Sequence, residues 1–178
     1  MPKQTFVSDI KELRRRAREH MEKGAVTSSY QGDAATAVKI LNEALATEIV
    51  CVLRYSYHAT VATGLDSESV KDEFREHARD EQEHAGRIAE RINQLGGKPN
   101  MNPEGLLTRS HSEYVEGDTL VQMIKENLVA ERIAIESYRE MIKFFGDSDP
   151  TSRRLMESIL EKEEEHANDM HDLLKTHA

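Results

Sequence analysis

Two Glu-x-x-His motifs, each preceded by a further Glu about 32 residues upstream, have the clearest chemical meaning in this sequence. The six residues are Glu48, Glu81, His84, Glu131, Glu163 and His166. Side chains at positions i and i+3 share one face of a helix, so the Glu and His of each motif can reach the same ion. Carboxylate oxygens with one imidazole per metal suit iron or manganese more than copper, and zinc can also occupy such sites.

These six residues lie where helices should present their core side chains. In residues 67–95, apolar residues recur every three or four positions, but His77, Glu81 and His84 continue the stripe in its middle. A buried, unpaired carboxylate costs several kcal/mol, and a whole domain is stable by only about 5–15 kcal/mol. Four carboxylates in one core therefore need protons or two divalent cations. One Glu from each of two helices, with Glu-x-x-His from two others, is the ligand set of di-iron and di-manganese four-helix bundles.

A lone Glu-x-x-His motif in a charged helix is usually solvent-exposed, which is the alternative interpretation of each motif. Their repetition, each with its upstream Glu, favours the dimetal site. Tyr55, seven residues after Glu48, is either a hydrogen-bond donor to a ligand or a partly buried core tyrosine. His77 is interpreted as a core or rim histidine rather than a ligand, and Cys51 as a packed side chain.

Four long helical patterns must position these residues. They cover residues 34–62, 67–95, about 118–145 and 150 to about 174. Asp149 is the expected N-cap of the last helix, with Pro150 at its first position. Short turns within the first and second pairs make antiparallel neighbours, whereas residues 96–117 are long enough to cross between the pairs. The sequence therefore predicts an all-α, four-helix bundle.

Two smaller elements accompany the bundle. The crossover is predicted to carry a short extra helix over residues 102–110, with Asn102 as its cap. Residues 1–33 are predicted to form an N-terminal arm, with a helix over 8–23 capped by Ser8 and a linker over 25–33. Residues 34–178 then form the bundle domain.

Composition narrows the function classes. The 178-residue chain has a net charge of −9, which argues against a nucleic-acid or anionic-membrane surface and suits cation attraction. The basic run KELRRRAREHMEK is interleaved with acids, so a solvated or subunit-packing face is favoured over nucleic-acid contact. One Cys excludes an internal disulfide and a Cys-rich metal cluster. No signal-peptide core and no apolar run of about 18 residues are found, so a cytoplasmic location without a membrane partner is expected.

The sequence resembles the ferritin-like superfamily over about residues 34–174. The resemblance rests on LNEALATEIVCVLRYSYHA, HARDEQEHAGRIAERINQLGGKP, LVAERIAIESYREMI and LEKEEEHANDMHDLL. The chain is most similar to bacterioferritins and to Dps-like mini-ferritins with a bacterioferritin-type site. The resemblance implies that the six residues bind two irons per subunit in a ferroxidase centre, with Glu81 and Glu131 bridging. It implies iron storage and detoxification, in which O2 or hydrogen peroxide oxidises Fe(II) to Fe(III) and oxidative damage is limited.

Departures from that family refine the expectation. Gln82 stands where bacterioferritins place a haem-binding Met, so haem is not expected. Only twelve residues follow His166, so the fifth helix of larger ferritins is not expected. The crossover helix and the arm resemble Dps-like proteins, which implies a homo-oligomer of twelve subunits. A single Cys disfavours a rubrerythrin.

Two rival functions stay open. One is a di-iron or di-manganese oxidase, peroxidase or catalase without a storage cage. The other is a Dps-type protein that protects DNA through the basic arm. DNA binding is possible but not favoured, because the basic run of the arm is interleaved with acids. The inter-subunit iron motif of true Dps proteins is also not recognisable.

Overall fold

Four long helices dominate the computed structural model, which describes residues 9–64 and 67–177. The helices are α1 (Ile10–Arg16), α2 (Ala34–Val61), α3 (Ser67–Gln94), α4 (Leu106–Arg109), α5 (Leu120–Phe145) and α6 (Pro150–His177). The helix α2 packs along α3, and α5 packs along α6, with further contacts joining the two pairs. The predicted all-α bundle and its long crossover are confirmed. Within the described ranges, no helix is both long and apolar enough to cross a bilayer.

Local capping explains where the long helices begin. The Asp33 side chain accepts hydrogen bonds from the first backbone amides of α2, and Thr119 does the same for α5. Asp149 accepts from the amide of Ser152 at 2.9 Å, as expected for the N-cap of α6. Pro150 then fits the first helical position, because it has no amide hydrogen to leave unpaired. The observed helix bounds lie close to those predicted.

The arm departs from its prediction of one continuous helix. The helix α1 spans only Ile10–Arg16, and a 3-10 turn follows at Met21–Lys23. Between them His20 adopts a left-handed φ of 54°, which ends helical hydrogen bonding. Asp9 caps α1 through the amide of Lys11, whereas the predicted cap Ser8 lies outside the described residues. Both helical pieces of the arm, as far as it is described, bury none of their side chains.

The crossover helix is shorter than predicted. Asn102 accepts from the amide of Glu104 and so caps a turn rather than a helix. Gly105 follows with a φ of 69°, and α4 begins only after it. Leu106 is buried in a small cluster with Ala46 and Val50 of α2, which anchors the crossover to the bundle.

Two apolar layers form the core. One contains Leu41, Leu45, Ile88, Ile92, Met156 and Ile159 among others. The second contains Tyr55, Phe74, Ile124 and Met170 among others. Along each long helix, the six residues with metal-ligand chemistry fall between these layers. Apolar packing above and below therefore holds a polar layer inside the bundle.

Candidate metal centre

The structure brings all six predicted residues together in the polar layer. Each is at most 3% exposed. They form two overlapping groups in which one ligand atom from each residue lies within 4.8 Å of the others. The first group is Glu48, Glu81, His84 and Glu163, and the second is Glu81, Glu131, Glu163 and His166. Each group has three carboxylates and one imidazole.

The overlap of the groups favours a different pair of shared carboxylates from the expected pair, Glu81 and Glu131. Glu81 and Glu163 belong to both groups, whereas Glu131 belongs only to the group that contains His166. The Nδ1 atom of His84 lies 3.1 Å from Glu163 Oε1 and 3.3 Å from Glu81 Oε2. Glu81 and Glu163, the glutamates of the two Glu-x-x-His motifs, thus each share a group with both imidazoles, His84 and His166. The expectation that Glu131 bridges disagrees with this geometry, which places Glu163 between the two groups.

Four buried acceptor atoms in this layer have no hydrogen-bond partner. They are Glu81 Oε1, Glu131 Oε2, Glu163 Oε1 and His166 Nδ1. Unpaired buried polar atoms are uncommon in proteins, because each costs the free energy of its lost hydration. All four belong to residues of the second group, and Glu163 Oε1 also lies 3.1 Å from His84 of the first group, so cations held by the two groups would satisfy them. The residues present therefore fit a metal ion.

The two imidazoles are oriented for ligation. His166 Nε2 lies 3.1 Å from Asp80 Oδ2, so a proton on Nε2 is donated there and the Nδ1 lone pair faces the centre. His84 Nδ1 lies 3.2 Å from Glu48 Oε2, in addition to its contacts with the two shared carboxylates. A proton on this nitrogen can be donated to Glu48 or Glu81, and a metal ion would replace that proton.

Electrostatics in the layer favour a cation. Burial and the charge of Glu81 raise the pKa of Glu48 to about 8 and also raise that of Glu131. Burial opposes charge on His84, but hydrogen bonds to Glu48 and Glu81 raise its pKa to about 10. Burial likewise opposes ionisation of Glu81, yet the neighbouring imidazoles of His166 and His84 lower its pKa. Protons thus neutralise part of the charge, and bound cations would displace them.

Two tyrosines fix the outer carboxylates. Tyr55 donates a hydrogen bond to Glu131, which favours the donor over the core-only interpretation of this residue. Tyr138 donates to Glu48 in the same way and was not singled out from the sequence. The sequence spacing could have identified Tyr138, because it follows Glu131 by seven residues just as Tyr55 follows Glu48. The internal repeat therefore includes a tyrosine, and each tyrosine reaches the glutamate of the opposite helix pair.

Sequence reasoning also missed a buried polar network beside the centre. Arg54 is 1% exposed and donates to Asn127 Oδ1 at 2.9 Å and to Ser112 Oγ at 3.0 Å. Asn127 interrupts the apolar stripe of α5 as Glu131 does, which was the available signal. Cys51 is a buried free cysteine whose Sγ lies 3.4 Å from Arg54 Nη2. The interpretation of Cys51 as a packed side chain agrees with this position.

A groove of about 340 Å³ between α3 and α6 reaches His84 from solvent. Its lining includes Asp80, Glu83, Glu161 and Lys162. Gln82 instead faces a separate groove between α2 and α3, lined by Lys71 and Arg75 among others.

Comparison with known proteins gives consistent matches. The sequence profile of the Ferritin family, described as Ferritin-like domain, matches residues 38–177. The DNA protection during starvation protein of Pyrococcus furiosus is 28% identical over 145 residues, covering 80% of this chain and 78% of that protein. A dodecameric thioferritin structure, the bacterioferritin-related protein of Bacteroides fragilis, is 32% identical with a TM-score of 0.79, covering 82% of this chain and 88% of that one. The structure of Desulfovibrio desulfuricans bacterioferritin, whose diiron site was studied in several catalytic states, is 26% identical with a TM-score of 0.71 and covers 80% of each chain.

Proposed function

Because this chain belongs to the Ferritin-like domain family, we propose that it is an iron storage and detoxification protein with ferroxidase activity. Its substrates are Fe(II) ions, bound two per subunit by the six residues of the polar layer. Glu81 and Glu163 hold both ions, while His84 with Glu48 and His166 with Glu131 complete one group each. The similarity to a bacterioferritin with a diiron site supports iron as the metal.

The observation that carries this proposal is the set of four unpaired, buried acceptor atoms within the second ligand group. A core with so many orphaned acceptors is costly without a cation. Tyr55, Tyr138 and Asp80 hold the ligands in place from outside, as supporting residues do around metal sites.

The proposed reaction transfers two electrons to one oxidant. Two Fe(II) and one hydrogen peroxide, with two protons, give two Fe(III) and two waters. With O2 in place of peroxide, two Fe(II) and two protons give two Fe(III) and one hydrogen peroxide. Paired electron transfer avoids the one-electron reduction of peroxide that releases hydroxyl radical. Apolar layers on both sides of the centre limit the access of water.

We also propose a cytoplasmic homo-oligomer of twelve subunits without haem, supported by the dodecameric relative. The arm, residues 1–33, is proposed as a unit separate from the bundle of residues 34–178. DNA protection is not favoured by the arm, because Arg15 already pairs with Glu12 and Glu19 of its own segment. A dimetal oxidase that does not store iron would differ in holding only two irons per subunit.

Replacing Glu81 with Gln tests the proposal directly. Purified wild-type protein, after metal removal, should oxidise two Fe(II) per chain rapidly under stopped-flow absorbance and should then store further iron. The Glu81→Gln variant should lose the rapid phase but keep its helical circular dichroism, because a buried charge is removed rather than added. Glu90→Gln, an exposed position on the same helix, is the matched control. Equal rates in all three proteins would refute the assignment.

A further inference from the structure

A third cluster of ligand-type side chains lies beside the six residues of the centre. Glu73, His77 and Asp169 each offer one ligand atom within 4.8 Å of the others. His77 is 2% exposed, whereas the side chains of Glu73 and Asp169 are 35% and 40% exposed. The cluster therefore connects solvent to a buried imidazole on the α3–α6 side of the bundle.

The hydrogen bonds of Tyr55 determine which nitrogen of His77 carries the proton. Tyr55 has one hydroxyl proton and donates it to Glu131. Its oxygen lies 3.1 Å from His77 Nδ1 and so accepts a proton from that nitrogen. In the neutral imidazole, Nε2 is then left with a lone pair. The ring also stacks on His166, with centroids 3.8 Å apart, which fixes the direction of that lone pair.

The lone pair of His77 faces two carboxylates. Its Nε2 atom lies 3.3 Å from Glu73 Oε1 and 3.6 Å from Asp169 Oδ2. None of these three atoms brings a proton to the contact, so the buried imidazole is aimed at acceptors alone. Burial and the charge of Asp169 raise the pKa of Glu73, which reflects the same excess of acceptors. A cation between the three atoms would compensate this excess of acceptors.

The geometry points to a third metal site, at which Glu73, His77 and Asp169 hold one divalent transition-metal ion beside the dimetal centre. Two carboxylate oxygens and one imidazole match the preferences of Fe(II), Mn(II), Co(II) and Zn(II). The half-exposed carboxylates give a cation access from solvent. Because the ring of His77 stacks on that of His166, the imidazole of His77 would lie between this cation and His166. The site shares no residue with the six of the centre, so it does not depend on the proposed ferroxidase reaction.

Cobalt provides a probe that does not require iron oxidation. Crystals of the full chain soaked in cobalt chloride should give an anomalous peak about 2.1 Å from His77 Nε2, the usual metal–imidazole distance. The peak should be absent from Glu73→Gln/Asp169→Asn and present in Glu76→Gln/Asp172→Asn, which makes the same charge change at exposed positions of the same helices. Equilibrium dialysis should show one fewer cobalt ion per chain in the first variant than in the control.

The same soak of Glu81→Gln separates this site from the dimetal centre. The peak at His77 should persist there, even where cobalt is lost from the six-residue centre. Absence of the peak from wild-type crystals, or its persistence in Glu73→Gln/Asp169→Asn, would overturn the assignment. Loss of iron oxidation alone would bear only on the proposed ferroxidase.

Discussion

Single hydroxyl groups control the outer carboxylates of the centre. Tyr138 on α5 donates to Glu48 on α2, and Tyr55 on α2 donates to Glu131 on α5. The exchange is reciprocal because each tyrosine follows its own helix's glutamate by two helical turns. Each carboxylate thereby keeps one oxygen occupied and presents the other to the ligand group. The tyrosines therefore set the direction from which a metal ion is bound.

Removing the Tyr138 hydroxyl should weaken metal binding at the first ligand group. In Tyr138→Phe, Glu48 Oε1 loses its hydrogen bond, so the carboxylate is held only through the contact of Oε2 with His84. Loss of such a supporting contact typically lowers metal affinity about 10–100-fold. Cobalt titration should show one weakened and one retained site at the six-residue centre of each chain, with the site at His77 unchanged. Tyr57→Phe, whose hydroxyl contacts Glu116 instead, is the control, and identical titrations of both variants would contradict this role.

Side-chain spacing predicted the ligands but not their surroundings. Glu48, Glu81 and Glu163 could be predicted because a charged residue on a core stripe demands a partner. Arg54 could not, because it lies off the apolar stripe of α2 and its hydrogen-bond acceptors come from α5 and the crossover. Such contacts depend on how the elements pack, which periodicity along one helix does not encode.

At the scale of elements, Asp149 joins three parts of the molecule. It caps α6 through Ser152 and pairs with Arg91 of α3 at 2.8 Å. It also accepts from the Tyr30 hydroxyl at 2.9 Å, which ties the linker to the bundle. Burial opposes its ionisation, but hydrogen bonds from Ser152 and Tyr30, with the charge of Arg91, hold the pKa of Asp149 below its usual 3.8.

Asp149→Asn should make the protein less stable at neutral pH and less sensitive to acid. The folded-state pKa is the lower one, so the carboxylate stabilises the fold above about pH 4, and this contribution is lost as pH falls further. The variant should lose about 1.5–3 kcal/mol at pH 7, the range for hydrogen bonds to a charged group. Its melting temperature by circular dichroism should stay below that of wild type down to about pH 4 and approach it as the pH falls further. Asp147→Asn, whose carboxylate is fully exposed, should show neither effect.

Element boundaries were predictable where capping and periodicity agreed. The long helices α2, α5 and α6 combine a wide apolar stripe with a cap, namely Asp33, Thr119 and Asp149, and both signals locate the same start. In the arm and the crossover, helix-forming residues are interrupted by the backbone at His20 and Gly105, which have left-handed φ values. Pro103 suggested a helix start, yet the turn capped by Asn102 uses the same residues. In short segments, the helix boundaries depend on such local competition between turn and helix more than on the periodicity of apolar residues.

At the scale of the whole molecule, all six candidate ligands come from one chain, but several apolar side chains of the described residues are exposed. Leu107 is 59% exposed and Met101 is 56% exposed on the crossover, and Leu13 is 51% exposed on α1. The polar layer is specified by residues of four helices in one bundle, so sequence alone reveals it. A cage depends on contacts between chains. Sequence periodicity does not show which exposed leucines form such contacts and which simply face solvent.

The crossover is where we expect subunits to meet. Leu106 anchors α4 to its own bundle, so the neighbouring Leu107 points outward from a fixed helix. A homo-oligomer of twelve subunits is therefore predicted, with a scattering mass about twelve times the 20.3 kDa of the chain. Leu107→Asp should lower that mass, because it places a charge in a buried contact. Thr108→Asp adds the same charge at the next exposed position and should leave the mass unchanged.

The two variants separate assembly from the chemistry of the centre. Because all six ligands come from one chain, dissociated Leu107→Asp subunits should still bind two cobalt ions each at the six-residue centre, although they should no longer retain mineral. A mass of two or twenty-four subunits for wild type would refute the dodecamer. Full assembly of Leu107→Asp would show instead that α4 lies away from the subunit contacts, and loss of cobalt on dissociation would mean that a neighbouring chain supports the centre.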